Sequence, residues 1–139
     1  GCISSLGLGL AMNCKKNIIA IDGDGAFLMR MGSIATNAYY APKNMLHLLI
    51  DNNIHDSTGG QLTVAGNIDF IQMAAYAGYK NSLHIHSLEE LESAIHQWKK
   101  QPSFTFMYLK IKEGTKENLG RPKIKPFQVK ERLQEFINA

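Results

Sequence analysis

Asn17-Ile18-Ile19-Ala20-Ile21-Asp22-Gly23-Asp24-Gly25-Ala26, answered further on by Met45-Leu46-His47-Leu48-Leu49-Ile50-Asp51-Asn52-Asn53, decides the fold of this chain. Each stretch is a short apolar run rich in branched residues, too brief for a helix, which reads as a buried strand. Each ends in carboxylates, amides or glycines. Gly23 and Gly25 flank Asp24, where they let the backbone turn sharply and approach a ligand, and the segment from Phe27 to Ala35 then reads as helical. A loop so placed sits at a helix N-terminus, where free N–H groups and the helix dipole favour a phosphate. In a parallel α/β sheet ligands collect outside the carboxyl ends of strands, so Asp24 and Asn52 are expected to meet there. An aspartate and an amide oxygen suit magnesium, which takes one or two protein carboxylates and keeps waters and substrate phosphates.

Rival readings of the glycine turn fail on the letters. Gly23-Asp24-Gly25-Ala26-Phe27-Leu28 lacks the third glycine of a dinucleotide fingerprint, and no Gly-Lys-Ser/Thr follows to make a P-loop. A calcium loop starting at Asp22 would put Phe27 where a glycine is needed and Ser33 where a bidentate glutamate is needed. A bare strand-to-helix turn stays open on the triplet alone.

The order of elements is that of an α/β protein. A first helix runs from Ser4 to Asn13, with Gly7 and Gly9 serving either close packing or cofactor contact. Asn67 is expected to cap a helix from Ile68 to Ala77, stopped by Gly78. Leu83-His84-Ile85 reads as a short strand. Ser87-Leu88-Glu89-Glu90 is a capping box, and Leu88, Leu91, Ala94, Ile95 and Trp98 share one face of the helix it opens. Phe104 to Leu109 reads as another strand. Val129, Leu133, Phe136 and Ile137 then mark a final helix after a polar, basic loop from Glu113 to Lys125. Strands alternating with helices predict a three-layer parallel sheet with helices on both faces.

Composition limits the functional classes. The chain has 139 residues, 45% hydrophobic and 19% charged, which predicts one domain with a substantial core. Its net charge of +3 is carried by the tail, where residues 110 to 132 hold eight Lys/Arg against three Glu. Without interleaved aromatics or a basic stripe, this argues against nucleic-acid binding. Cys2 and Cys14 form no metal or disulfide spacing, which predicts reduced thiols and a cytoplasmic setting. No run approaches a membrane span. Gly1 to Met12 is a poor signal peptide, and the opening at Gly1 reads as a piece of something longer. His84 and His86 alternate along a strand without a third ligand nearby, and His47 reads as a hydrogen-bonded core histidine.

Gly23-Asp24-Gly25, then 26 residues, then Asn52 resembles the diphosphate-binding motif of the thiamine-diphosphate-dependent enzymes. Asp51-Asn52-Asn53-Ile54-His55-Asp56-Ser57-Thr58-Gly59-Gly60-Gln61 and Leu119-Gly120-Arg121-Pro122 narrow the resemblance to the phosphonopyruvate decarboxylases within that family. The resemblance implies that residues 1–139 form the C-terminal diphosphate-binding domain of a longer enzyme, with the thiamine-diphosphate-binding fold and a tail from 113 to 139. It makes Asp24, the Asn52 side chain and the Ile54 carbonyl magnesium ligands. Gly23, Gly25 and Ala26 become cofactor-binding, with the N–H groups of Gly25 and Ala26 facing the diphosphate. His55 and Asp56 are candidates to shuttle a proton or orient substrate, or else to fix the loop. Arg121 is a candidate for the anionic end of 3-phosphonopyruvate, since a guanidinium fork suits a phosphate-like group. Family members often carry Gly in place of Asn53 and Glu in place of Asp56. The family's activating glutamate has no match here, which implies a pyrimidine-binding partner domain and at least a dimer. A sulfopyruvate decarboxylase β subunit and a non-catalytic assembly module are the alternatives.

Overall fold

A computed structural model describes residues 1–138. Helix α1 (Ile3–Asn13) precedes strand β1 (Ile18–Gly23), α2 (Asp24–Met29), α3 (Ser33–Tyr40) and β2 (Met45–Asp51). A small hairpin, β3 (Ile54–His55) with β4 (Gln61–Leu62), leads through a 3-10 turn at Ala65–Asn67 into α4 (Phe70–Ala77). Strand β5 (Asn81–Ile85), α5 (Leu88–Lys100), β6 (Thr105–Lys110) and α6 (Pro126–Asn138) complete the order. The sheet runs β1-β2-β6-β5, and all its pairings are parallel.

The central strand β2 is apolar almost throughout because helices cover it on both sides. Met45 and Leu49 join Ala20, Phe27, Phe70, Ala74 and Phe106 in one cluster, under the side of the sheet that carries α1, α2 and α4. Leu46 and Leu48 join Ile85, Met107, Leu109 and Trp98 in a second cluster beneath α5. Full burial of each Leu, Ile, Met or Phe among them stabilises the fold by about 1.5–3 kcal/mol. The expected layers are therefore present, but unequally covered. On the α5 side, Ile19 and Ile21 of the edge strand β1 remain 40% and 57% exposed.

Gly7 explains how α1 reaches the sheet. A Cβ there would lie 2.9 Å from the Ala20 Cβ, so the glycine permits close helix-to-strand packing, whereas a Cβ at Gly9 would meet nothing. Of the two expected roles, packing is the one seen at Gly7.

Several expectations are corrected. The helix anticipated from Phe27 through Ala35 is broken into α2 and α3, with 3-10-type bonds from Arg30 N to Phe27 O and from Ile34 N to Met31 O around Gly32. The α4 cap is Asp69, whose Oδ1 accepts from Gln72 N at 2.9 Å. Asn67 instead ends the 3-10 turn, because Ile68 returns to extended backbone before the helix starts. Ser87 caps α5 as expected, accepting from Glu90 N at 3.1 Å, but the Glu90 carboxylate reaches back to His86 N rather than to Ser87 N. Leu88 is largely exposed at the start of α5. The apolar face of α6 buries no residue fully, and the Phe136 ring lies 4.5 Å from Lys16 Nζ as a cation–π contact.

Candidate functional site

The turn after β1 and the loop after β2 line one cleft of about 430 Å³. This follows from parallel pairing: Gly23 lies opposite Ile50, so Asp24 and Asn52 leave neighbouring strands at the same end. The cleft takes Asp24, Gly25 and Ala26 from one side and Asn52, Ile54, His55 and Asp56 from the other. Every residue expected to hold magnesium or diphosphate therefore borders a single space.

Asp24 opens α2 and is 2% exposed. Its Oδ2 accepts a 2.6 Å hydrogen bond from Thr63 Oγ1, a charge-assisted contact from the residue just after β4. Asn52 is held at both ends of its amide. The Nδ2 donates to Asp56 Oδ2 at 2.7 Å, and Oδ1 accepts from Ile54 N at 3.3 Å. Asp56 thus fixes which way the amide faces, and Oδ1 keeps a lone pair for a further partner. A carboxylate, an amide oxygen and a backbone carbonyl form an all-oxygen donor set that fits a small hard cation. Among the described residues no group of three or more His, Cys, Asp or Glu gathers as a metal site, and the His84 and His86 rings lie tilted at 40° with centroids 4.1 Å apart.

His55 closes over the glycine turn. A Cβ at Gly25 would lie 2.5 Å from both Cε1 and Nδ1 of the His55 ring, so this position admits no side chain while the ring stays in place. Asn53 takes a left-handed φ of 63°, the conformation glycine adopts most freely and asparagine tolerates. The loop therefore keeps its path with asparagine at that position.

The loop rests on groups that no spacing argument singled out. Asp51, 1% exposed, accepts from Asn53 N at 2.7 Å through Oδ1 and from the Tyr108 hydroxyl at 2.7 Å through Oδ2. Burial, then the bond to Asp51, then the charges of Asp51, Asp24 and Asp69 push the Tyr108 phenol well above its ordinary range, so it remains a donor. Thr63, Asp51 and Tyr108 lie 39 and 57 residues from their partners or belong to ordinary strand letters, so only the fold brings them in.

Arg121 lines not the first cleft but an adjoining one. A second cleft of about 390 Å³ is lined by Thr115 and Leu119 to Pro122 on the tail and by Asp56 and Ser57 on the loop. Asp56 and Ser57 line both spaces. Arg121 itself is exposed. No helix among the described residues is long and apolar enough to cross a membrane.

Residues 1–108 match the family model described as thiamine pyrophosphate enzyme, C-terminal TPP binding domain. The chain is 40% identical over 136 residues to phosphonopyruvate decarboxylase of Streptomyces hygroscopicus, covering 98% of this chain and 34% of that protein. It is 34% identical over 139 residues to sulfopyruvate decarboxylase subunit beta of Methanococcus maripaludis, covering all of this chain and 72% of that one. A putative thiamin diphosphate-dependent enzyme from Mycobacterium smegmatis superposes with a TM-score of 0.61 over 78% of this chain and 20% of its own, at 21% identity, a likeness of fold alone. The chain spans about a third of the length of the phosphonopyruvate decarboxylase it matches.

Proposed function

This chain belongs to the family of thiamine pyrophosphate enzyme C-terminal TPP-binding domains, and from that premise we propose that residues 1–139 are the diphosphate- and magnesium-holding domain of a phosphonopyruvate decarboxylase, which converts 3-phosphonopyruvate to phosphonoacetaldehyde and carbon dioxide. The observation that carries the reading is the meeting of Asp24 and Asn52 in one cleft, each braced by a second side chain. Asp24 Oδ1, Asn52 Oδ1 and the Ile54 carbonyl would ligate magnesium. The N–H groups of Gly25 and Ala26, in the first turn of α2, would face the diphosphate. Thiamine diphosphate, when bound, supplies the electron sink for loss of carbon dioxide from a 2-oxo acid.

The chain's own part is placement. Thr63 engages one Asp24 oxygen, which would leave the other for the metal, and Asp56 holds the Asn52 amide nitrogen, which would leave the amide oxygen for the same ion. With its carboxylate committed to Asn52, Asp56 serves as an orienting group, and His55, over Gly25, is the group free to hold or pass a proton at the cofactor. Arg121 at the adjoining cleft would meet the anionic end of the substrate. The activating glutamate, and with it a complete active site, would come from a pyrimidine-binding domain of the same or another protomer, which makes the working unit a dimer or larger.

A second reading, a sulfopyruvate decarboxylase β subunit, is favoured by one observation: the chain covers 72% of such a subunit. Turnover of phosphonopyruvate, sulfopyruvate and pyruvate by the full-length protein, with magnesium and thiamine diphosphate, separates the two readings. Preference for phosphonopyruvate is expected. Absence of magnesium-dependent cofactor binding, with native protein indistinguishable from Asp24→Ala in calorimetry, would leave only a non-catalytic assembly module.

A further inference from the structure

From Asp22, at the wall of the cleft, a line of buried polar side chains runs back into the core. Asp22, 3% exposed, is the last inward-facing residue of β1 before the turn at Gly23. Its Oδ2 lies 3.5 Å from Nε2 of His47, a fully buried residue of β2. His47 Nδ1 lies 3.4 Å from the Tyr79 hydroxyl, which accepts from Asn37 Nδ2 at 3.5 Å. Burial holds the Tyr79 phenol protonated, with the Asn37 bond partly opposing. Tyr79 can then donate to Nδ1, which leaves the Nε2 proton facing Asp22 and points every donor in the line toward the carboxylate.

Stability does not account for this line. The Asp22–His47 approach is an electrostatic contact without hydrogen-bond geometry, and Asp22 Oδ1, His47 Nε2 and Asn37 Oδ1 have no hydrogen-bond partner. The imidazole is walled by Phe27 and Phe106, with ring centroids at 5.6 and 5.3 Å, a setting in which apolar side chains would pack without desolvation cost. Geometry gives the line a purpose. Among the described residues edge strand β1 pairs only with β2, and it is bare on the α5 side at Ile19 and Ile21, yet Asp24 must keep its distance from Asn52 at the end of β2. The Asp22 contact crosses from β1 to β2 just before the turn.

We propose that Asp22 and His47 are positioning residues for the diphosphate-binding turn, a side-chain brace that sets Asp24 against Asn52. This rests on the reading of the cleft as a magnesium-diphosphate site. The test uses the full-length protein and the double variant Asp22→Leu/His47→Leu, with Asp22→Asn as the conservative partner that keeps an acceptor facing His47. Calorimetric titration with thiamine diphosphate at limiting magnesium is expected to show affinity about 10- to 100-fold weaker in the double variant. The thermal midpoint should stay close to the parent, and Asp22→Asn should bind nearly as the parent does.

Affinity within about twofold of the parent, or a loss that merely follows a fall in the thermal midpoint, would overturn the brace. Should the double variant not fold, His47→Phe keeps a ring in the aromatic box, removes the donor, and is read by the same two outcomes. A parent that binds no cofactor overturns the cofactor reading and the brace together, whereas a binding parent with an unaffected variant overturns the brace alone.

Discussion

The turn carrying Asp24 and the tail carrying Arg121 border the same loop but are built in opposite ways. At the strand ends, Asp24, Asp51 and Asp22 are 1–3% exposed, and the loop polar groups are tied within the chain by Thr63, Tyr108 and Asp56. In the tail, every residue from Lys110 to Phe136 is exposed, and the Leu-Gly-Arg-Pro stretch faces Asp56 and Ser57 across a shared cleft. The difference separates two tasks. A cofactor is gripped by a rigid, pre-arranged frame, where small displacements cost binding. Under the proposed function, recognition of a substrate's distal charge would fall to an exposed arginine on the tail.

The comparison can be broken hardest at Gly25. Gly25→Ala puts a Cβ 2.5 Å from the His55 ring, so cofactor affinity should fall by about 100-fold, and adding His55→Ala should recover part of it. Additive losses in calorimetry would mean that the two do not share a space. Next comes Thr63→Val, which removes the bond to Asp24 Oδ2 and should weaken magnesium-dependent binding by about 1.5–3 kcal/mol. An unchanged magnesium titration would detach Thr63 from the site.

Arg121→Ala sharpens the contrast from the other side. It should raise the apparent substrate constant about tenfold while leaving cofactor affinity and thermal midpoint unchanged, and Arg121→Lys should restore it only in part. An unchanged substrate constant would confine Arg121 to the surface. The smallest effect is expected at Asn53→Gly. Relief of the left-handed φ and the greater freedom of the unfolded chain oppose each other, so denaturant unfolding should move by less than about 1 kcal/mol.

Both strand ends were legible in the sequence because short apolar runs stop abruptly at polar letters, and parallel pairing then leaves little choice about where Asp24 and Asn52 go. The α5 cap was legible for a similar reason, since Ser87 and Glu90 act within one turn. What stayed hidden depends on contacts across the chain. Thr63 meets Asp24 from 39 positions away, and its letter differs in nothing from an ordinary loop threonine. Asn67 was the cap read from the letters, and the 3-10 turn moves the cap to Asp69 by returning Ile68 to extended backbone. His47 was recognisable as a buried histidine, but its alignment with Asp22 needed the register of β1 on β2. The α6 stripe shows the limit of periodicity: spacing names an apolar face without naming what covers it.

The bare side of β1 has a practical consequence. An edge strand that presents Ile19 and Ile21 to water offers both a row of open peptide groups and a greasy strip beside them. Prepared by itself at high concentration, this polypeptide should precipitate through that border, and a lysine at Ile21 would be the economical way to keep it in solution.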